Sequence, residues 1–234
     1  MCGRYLLRSP VDALRRAFGF VETPNLAPRY NIAPTQAAPA VRQRREPAGE
    51  RTIQLLRWGL VPSWAKDLTI GARLINARAE SLAEKPSFRS AFRKRRCLVP
   101  ADGFYEWRAE GKRKQPYLIA RRDEAPFAFA GLWERWTPKE KGTGPEFIDS
   151  FTIVTTDANA LLKPLHERMP VILAPSDYSR WLDPDATIEN LTSLLRPAPE
   201  NWLEFYPIDP RVNAVRNDDA KLIEAVGPHT AALG

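Results

Sequence analysis

Three side chains in this sequence have types suited to covalent or proton-transfer work: Cys2, Glu106 and His166. Cys2 follows Met1, and aminopeptidases trim a leading methionine when the next residue is small. Removal of Met1 would put an α-amine and a thiol on adjacent carbons. Such groups ordinarily titrate near 8 and 8.5, so both have reactive fractions at neutral pH. The amine condenses with an aldehyde to an imine, and the thiol then closes a five-membered thiazolidine. Intramolecular closure is worth up to roughly 7–11 kcal/mol relative to a bimolecular attack. Taken alone, Cys2 is read more readily as a residue that merely follows the start codon.

Glu106 interrupts the aromatic run Gly103-Phe104-Tyr105-Glu106-Trp107 on an expected strand. A carboxylate turned into apolar surroundings has its pKa raised and suits proton transfer. Simple alternation instead turns Glu106 to solvent while Tyr105 and Trp107 pack. His166 stands in His166-Glu167-Arg168-Met169-Pro170 and is one of two histidines, the other being His229. A single imidazole serves as an acid–base group or as a structural one. Three further clusters mix polar and aromatic residues where a core would take apolar ones. They are Arg29-Tyr30-Asn31, Trp58-Gly59-Leu60-Val61-Pro62-Ser63-Trp64 and Ile75-Asn76-Ala77-Arg78-Ala79-Glu80.

Other chemistries have little to stand on. No glycine-rich dinucleotide or phosphate loop and no Gly-x-Ser-x-Gly elbow occurs. Cys2 and Cys97 are the only cysteines, which excludes a disulfide scaffold and Cys-rich zinc sites. Neither a metal nor a cofactor is expected. The 234 residues carry a formal charge of +7, with 26 Arg against 9 Lys. Arginine's planar donor fork suits phosphate, and the basic balance favours a polyanion, nucleic acid first. Codon usage also enriches arginine. No apolar run approaches the roughly 18 residues of a membrane span, and the start lacks the order of a signal peptide. A cytoplasmic protein without membrane contact, acting as a monomer, is the expectation.

The elements that must position these residues are short. Ser9 and Pro10 predict a helix start with Ser as cap, Val11, Leu14, Ala17 and Phe18 forming one face and Gly19 ending it. Residues 21–36 read as irregular and 59–80 as mostly loop. Strands are expected at 38–43 and 51–58, joined by a turn with Pro47 and Gly49, and at 96–100, 103–108, 116–121, 127–133, 148–155, 170–174 and 203–207. The run Ala109-Glu110-Gly111-Lys112-Arg113-Lys114 is a hairpin connection. Helices are expected at 87–93, 157–163, 176–182, 187–195 and 218–225. The 22 prolines speak against long bundles. Clustered strands with scattered short helices give an α+β fold, and residues 1–234 read as one domain, with an exposed loop at 137–146.

The ordered motifs carry a resemblance. Met-Cys-Gly-Arg at the start, Arg29-Tyr30-Asn31-Ile32-Ala33-Pro34, Trp58-Gly59-Leu60-Val61-Pro62-Ser63-Trp64, Ile75-Asn76-Ala77-Arg78-Ala79-Glu80, Gly103-Phe104-Tyr105-Glu106-Trp107 and His166-Glu167-Arg168-Met169-Pro170 closely resemble the SRAP family, the SOS-response-associated peptidase or abasic-site processing proteins. The resemblance runs from residue 2 to about 220, with 226–234 as a tail. It implies a curved, barrel-like, mostly antiparallel sheet with short flanking helices. It implies binding to single-stranded DNA containing abasic sites, a thiazolidine crosslink through Cys2 after Met1 removal, and lyase, self-reversal and autoproteolytic activity. Catalytic partners would be Asn76, Glu106 and His166. DNA-contacting positions would be Arg4, Asn31, Pro34, Trp64, Arg78, Thr155 and Arg168, with Trp58 or Trp64 stacking on a base. Arg78 and Arg168 suit the flanking phosphates. Three alternatives remain: an N-terminal-nucleophile amidotransferase, which needs an αββα fold; a protease acting on other proteins; and a non-catalytic single-strand DNA-binding module.

Overall fold

The computed structural model describes residues 2–44, 49–111, 113–138, 146–228 and 230–231. In chain order the elements are β1 (Tyr5–Leu7), α1 (Val11–Phe18), β2 (Arg29–Ile32), β3 (Ala37–Gln43), β4 (Arg51–Trp58), β5 (Asn76–Arg78), α2 (Arg89–Lys94), β6 (Arg96–Ala101), β7 (Gly103–Glu110), β8 (Arg113–Arg121), β9 (Phe127–Trp136), β10 (Ile148–Asp157), β11 (Arg168–Pro170), β12 (Ile172–Leu173), α3 (Tyr178–Leu182), α4 (Ile188–Thr192), β13 (Leu203–Pro207) and β14 (Thr230–Ala231). The expected α+β class is what forms.

Five strands close a barrel in the order β10-β4-β3-β6-β9, with β9 pairing back to β10. All pairs are antiparallel except β4 with β10. A second sheet runs β14-β13-β8-β7-β1-β2. Aromatic side chains weld the two. Tyr5 of β1 meets Trp58 of β4 edge-on at 5.2 Å and Phe129 of β9 at 5.9 Å, and Phe104 of β7 meets Phe129 at 5.8 Å. Such pairs add about 0.5–1.5 kcal/mol each beyond their burial. The N-terminal strand is thereby pinned against the barrel, which fixes where Cys2 lies.

β10 is longer than its barrel neighbours require. Its first half pairs with β4 on one edge and β9 on the other. Its second half pairs with β5 in parallel, setting Thr155 beside Arg78, and with β11, setting Asp157 beside Arg168. At the β4 end, Gly59 has φ +120, and a Cβ there would lie 2.5 Å from the Gly71 carbonyl oxygen. Only glycine allows that crossing, which brings residues 71–78 back to β10.

Several expectations shift. Ser9 does not cap α1: Pro10 takes the cap position and the Ser9 hydroxyl donates to Asp102 at 2.5 Å. Gly19 does end the helix, left-handed at φ 71. Residues 21–36 hold β2, because β1 offers a free edge and Asp218 accepts the Tyr30 and Asn31 amides. The 59–80 loop holds β5 and a 3-10 turn at Leu68–Arg73. No helix forms at 157–163: β10 runs to Asp157, and Asn159 caps a turn by accepting from the Leu162 amide. The 218–225 helix is one 3-10 turn, Ala220–Ile223. The tail is partly a strand, β14, on β13. Pro47 and most of 137–146 lie outside the described residues. Among the described residues, no helix is long and apolar enough to cross a membrane.

Candidate active site

Cys2 is completely buried, three residues ahead of β1. Its carbonyl accepts from Asn76 Nδ2 at 2.8 Å, across 74 residues of chain. Burial, and then the Glu106 charge, hold its thiol well above the usual range. At rest Cys2 is therefore a thiol and not a thiolate. Asn76 comes from β5, and its Oδ1 is buried without a hydrogen-bond partner among the described residues. An unsatisfied buried acceptor costs about 1–3 kcal/mol, so a ligand donor there would be favoured.

Glu106 lies on β7, the antiparallel neighbour of β1. It is 5% exposed. Burial raises its carboxyl pKa, while His166 pulls the other way. The buried alternative, not the solvent-facing one, is realised. His166 lies just before β11, and its Nδ1 accepts from the Arg168 amide at 2.9 Å. In the neutral ring this fixes the proton on Nε2, which is left as a donor. Glu106 and His166 line one open pocket of about 410 Å³ with Trp107, Lys114 and Asn213. Among the described residues, no three His, Cys, Asp or Glu side chains gather as a metal site.

The other expected positions divide. Arg78, Thr155 and Arg168 sit together on β5, β10 and β11. Arg78 is exposed, and the Thr155 hydroxyl is buried without a partner among the described residues. The Arg168 guanidinium donates to both Glu80 oxygens at 2.7 and 3.0 Å, to Asp157 at 2.8 Å and to the Thr155 carbonyl at 2.7 Å. Glu80's pKa is lowered, chiefly by that bond to Arg168. Pro34 is half-buried, next to Thr35, which holds a positive φ of 71.

Arg4 and Asn31 stand apart from that group. Asn31 is fully buried, and its amide nitrogen donates to the carbonyls of Val212, Ala214 and Asn217. Arg4 donates to Asn31 Oδ1 at 2.8 Å and to the Val212 carbonyl at 2.9 Å. Both bind the C-terminal segment 212–217 to the second sheet. A stacking role for Trp58 is not supported: its ring is wholly buried, its Nε1 bonds the Ile75 carbonyl and it stacks on Phe151. Trp64 is 54% exposed, beside Lys66, Ile70 and Arg73.

Lys114 and Asn213 of the pocket were not singled out by sequence reasoning. Lys114 sat in a run read only as a hairpin. A lone Val-Asn pair in an irregular stretch gives no signal at all.

A family model described as SOS response associated peptidase (SRAP) matches residues 1–215. The chain belongs to the SRAP family. Two relatives illustrate its range. One, from Bacillus subtilis, is named abasic site processing protein YoaM and is 40% identical over 96% of this chain and 98% of its own. Another, from Gallus gallus, is named abasic site processing protein HMCES and is 32% identical over 93% of this chain and 76% of its own. A crystal structure of a protein from Bacteroides thetaiotaomicron superposes with a TM-score of 0.84 at 29% identity, covering 96% of this chain and 99% of that one. The SRAP fold also sets aside the αββα alternative, since the strands close a barrel and no described helix exceeds eight residues.

Proposed function

We propose that this SRAP chain captures abasic sites in single-stranded DNA, as a thiazolidine between Cys2, freed of Met1, and the ring-opened sugar aldehyde. The observation that supports this most is the convergence of three distant segments near Cys2: Asn76 on its carbonyl, Glu106 acting by its charge on the thiol, and His166 lining one pocket with Glu106. The names of the relatives agree with an abasic-site substrate.

The geometry gives each group a task. His166 Nε2–H donates to the ring oxygen of the closed sugar, easing opening to the aldehyde. Glu106, whose raised pKa makes it a competent proton carrier, takes a proton from the Cys2 ammonium. The free amine adds to the aldehyde, and loss of one water leaves the imine. The thiol then adds across C=N, sulfur to carbon and hydrogen to nitrogen, which closes the ring. A protonated thiol suits this order, because the imine forms first. Asn76 Oδ1, lacking a partner, receives a sugar hydroxyl. The same proton transfers in reverse support self-reversal and lyase chemistry.

Intact mass of protein incubated with a single-stranded abasic oligonucleotide tests the reading. The expected species weighs the sum of the two less one water, survives denaturing detergent, and is absent for Cys2→Ser but present for Cys97→Ser. A full yield from protein that verifiably retains Met1 would sink it, because an amide nitrogen forms no imine. A complex that detergent disperses would leave a non-catalytic binding module.

A further inference from the structure

We infer that Lys114 and Asn213 form a wall of the pocket that grips a phosphate of the strand beside the reacting sugar, with Arg4 and Asn31 holding that wall in place. The inference rests on the pocket being a DNA site and deepens that reading. Neither Lys114 nor Asn213 belongs to the motifs that carry the family resemblance.

The wall is built from two sides. Lys114 is exposed near the start of β8 and lines the pocket with Glu106 and His166. Its ammonium has no hydrogen bond or ion pair with any described residue. The carboxylate of its own hairpin is already taken, since Glu110 accepts from Arg108 at 2.6 Å and from Tyr117. On the same pocket, Asn213 Oδ1 accepts from Trp107 Nε1 at 2.7 Å. An indole nitrogen only donates, so this bond sets which end of the amide is oxygen. The remaining NH2 is left to meet a ligand.

The segment that carries Asn213 is held from behind. Arg4 donates to the carbonyls of Val212 and Asn213, and Asn31 to those of Val212, Ala214 and Asn217. Asp218 adds bonds to the Tyr30 and Asn31 amides. Because Asn31 is fully buried, its bonds resist exchange with water. Arg4 and Asn31 are thus positioning residues, acting through Asn213.

The ligand follows from the donors. An ammonium and an amide NH2 present only hydrogens, one with positive charge. The matching partner offers only acceptors and carries negative charge. A base edge or sugar hydroxyl mixes donors with acceptors and matches less well. A phosphodiester matches fully. It would sit with exposed Lys114 and Asn213, away from the buried Glu106 carboxyl, as a phosphate flanking the reacting sugar would.

The test uses Cys2→Ala protein, so that binding is read without capture. The probe is a single strand with a tetrahydrofuran abasic analogue, either wholly phosphodiester or with neutral methylphosphonates flanking the analogue. Fluorescence anisotropy at about 50–100 mM salt should show Lys114→Gln weakening the phosphodiester strand about threefold. Asn213→Asp, which sets a carboxylate against the phosphate, should weaken it about tenfold. On the methylphosphonate strand both losses should fall below about 1.5-fold. Equal losses on the two strands, or none on either, overturn the phosphate wall. Lys114 is exposed, so Lys114→Gln reports even if Asn213→Asp unfolds. Covalent adduct formation by the wild type is run in parallel. No adduct, with strand discrimination intact, rejects the thiazolidine reading and keeps the wall; adduct without discrimination does the reverse.

Discussion

At the start of β11 Arg168 sits nearly buried, with 15% of its side chain exposed, and is already bonded to Glu80 and Asp157. In the pocket with Glu106 and His166, Lys114 stands in solvent with no partner among the described residues. The difference follows from solvation. A guanidinium tucked against β10 loses water, and leaving it unpaired there would cost several kcal/mol, so carboxylates must attend it while no DNA is bound. Glu80 and Asp157 are themselves 53% and 83% exposed, so such contacts are worth at most about 1 kcal/mol each and yield to a phosphate. Lysine on a flexible stem keeps its hydration and needs no such attendant. On the proposed DNA-binding reading, a strand would exchange partners on the Arg168 side and add them on the Lys114 side. The group proposed to react is a buried floor that neither wall replaces, with Asn76 on the Cys2 carbonyl and the Glu106 charge acting on its thiol.

The largest effect belongs to the floor. Glu106→Gln keeps shape and burial but removes the titrating group. Capture at saturating DNA should slow about 10²–10⁴-fold while affinity changes little. Single-turnover rates with matched occupancy check it, and a change within twofold would reduce Glu106 to a structural residue. The same substitution carries a pH signature. Since burial raises the folded-state pKa, the folded protein holds that proton more tightly than the unfolded chain. Glu106's contribution to stability is therefore full below the ordinary carboxyl value of about 4.3 and is lost as pH rises through the raised value. Glu106→Gln should gain stability over wild type on going from about pH 4 to pH 7.5, as thermal melts would show.

Next comes the support of the Lys114–Asn213 wall. Asn31→Ala removes a buried amide that serves three carbonyls and Arg4, and should cost about 2–4 kcal/mol of stability. Denaturant titration measures this. Its effect on affinity should largely disappear in an Asn213→Ala background, because both act through one contact. Independent, additive losses would mean that Asn31 touches DNA by another route.

How far the sequence reveals this arrangement depends on the distance over which the signal acts. Apolar, β-branched and aromatic runs set off by turn residues made β3, β4, β6, β7, β9, β10 and β13 visible, several of them buried on both faces. β1, β2 and β5 have three or four residues each, too few to show a period, and exist through their neighbours. Cys2 and Glu106 were legible as chemistry because their types are unusual for their places. Trp58 was not legible as core, since one sequence cannot separate a tryptophan that stacks outward from one that packs inward. The tie between Arg4, Asn31 and residues 212–217 spans roughly 180 to 210 positions and leaves no local trace.

A smaller effect tests partner exchange directly. Glu80→Gln retains a hydrogen-bond acceptor for Arg168 but removes the charge a phosphate must displace. Binding to single-stranded DNA should tighten about threefold, opposite in sign to Lys114→Gln. If both substitutions weaken binding, Arg168 and Glu80 serve the fold and the two walls do not differ in the way described.

The smallest and most discriminating effect lies in the salt dependence. Each phosphate that a cation neutralises on a single strand contributes about −0.7 to the slope of log K against log salt, through release of condensed counterions. Lys114 arrives at the phosphate unpaired, so Lys114→Gln should flatten the slope by about that amount. Exposed Arg78 should behave likewise. Arg168 arrives with carboxylates that must be left behind, and these draw cations back from solution, so the net release is smaller. Arg168→Gln should therefore weaken binding while flattening the slope by clearly less than 0.7. Between roughly 50 and 200 mM salt, a slope difference of about 0.7 is a difference of about threefold in how much affinity is lost. Titrations of the three variants in the Cys2→Ala background, over that range and with one oligonucleotide, resolve it. Equal flattening by Arg168→Gln and Lys114→Gln would show that the Arg168–Glu80 pair opens before DNA arrives, and the contrast between the walls would vanish.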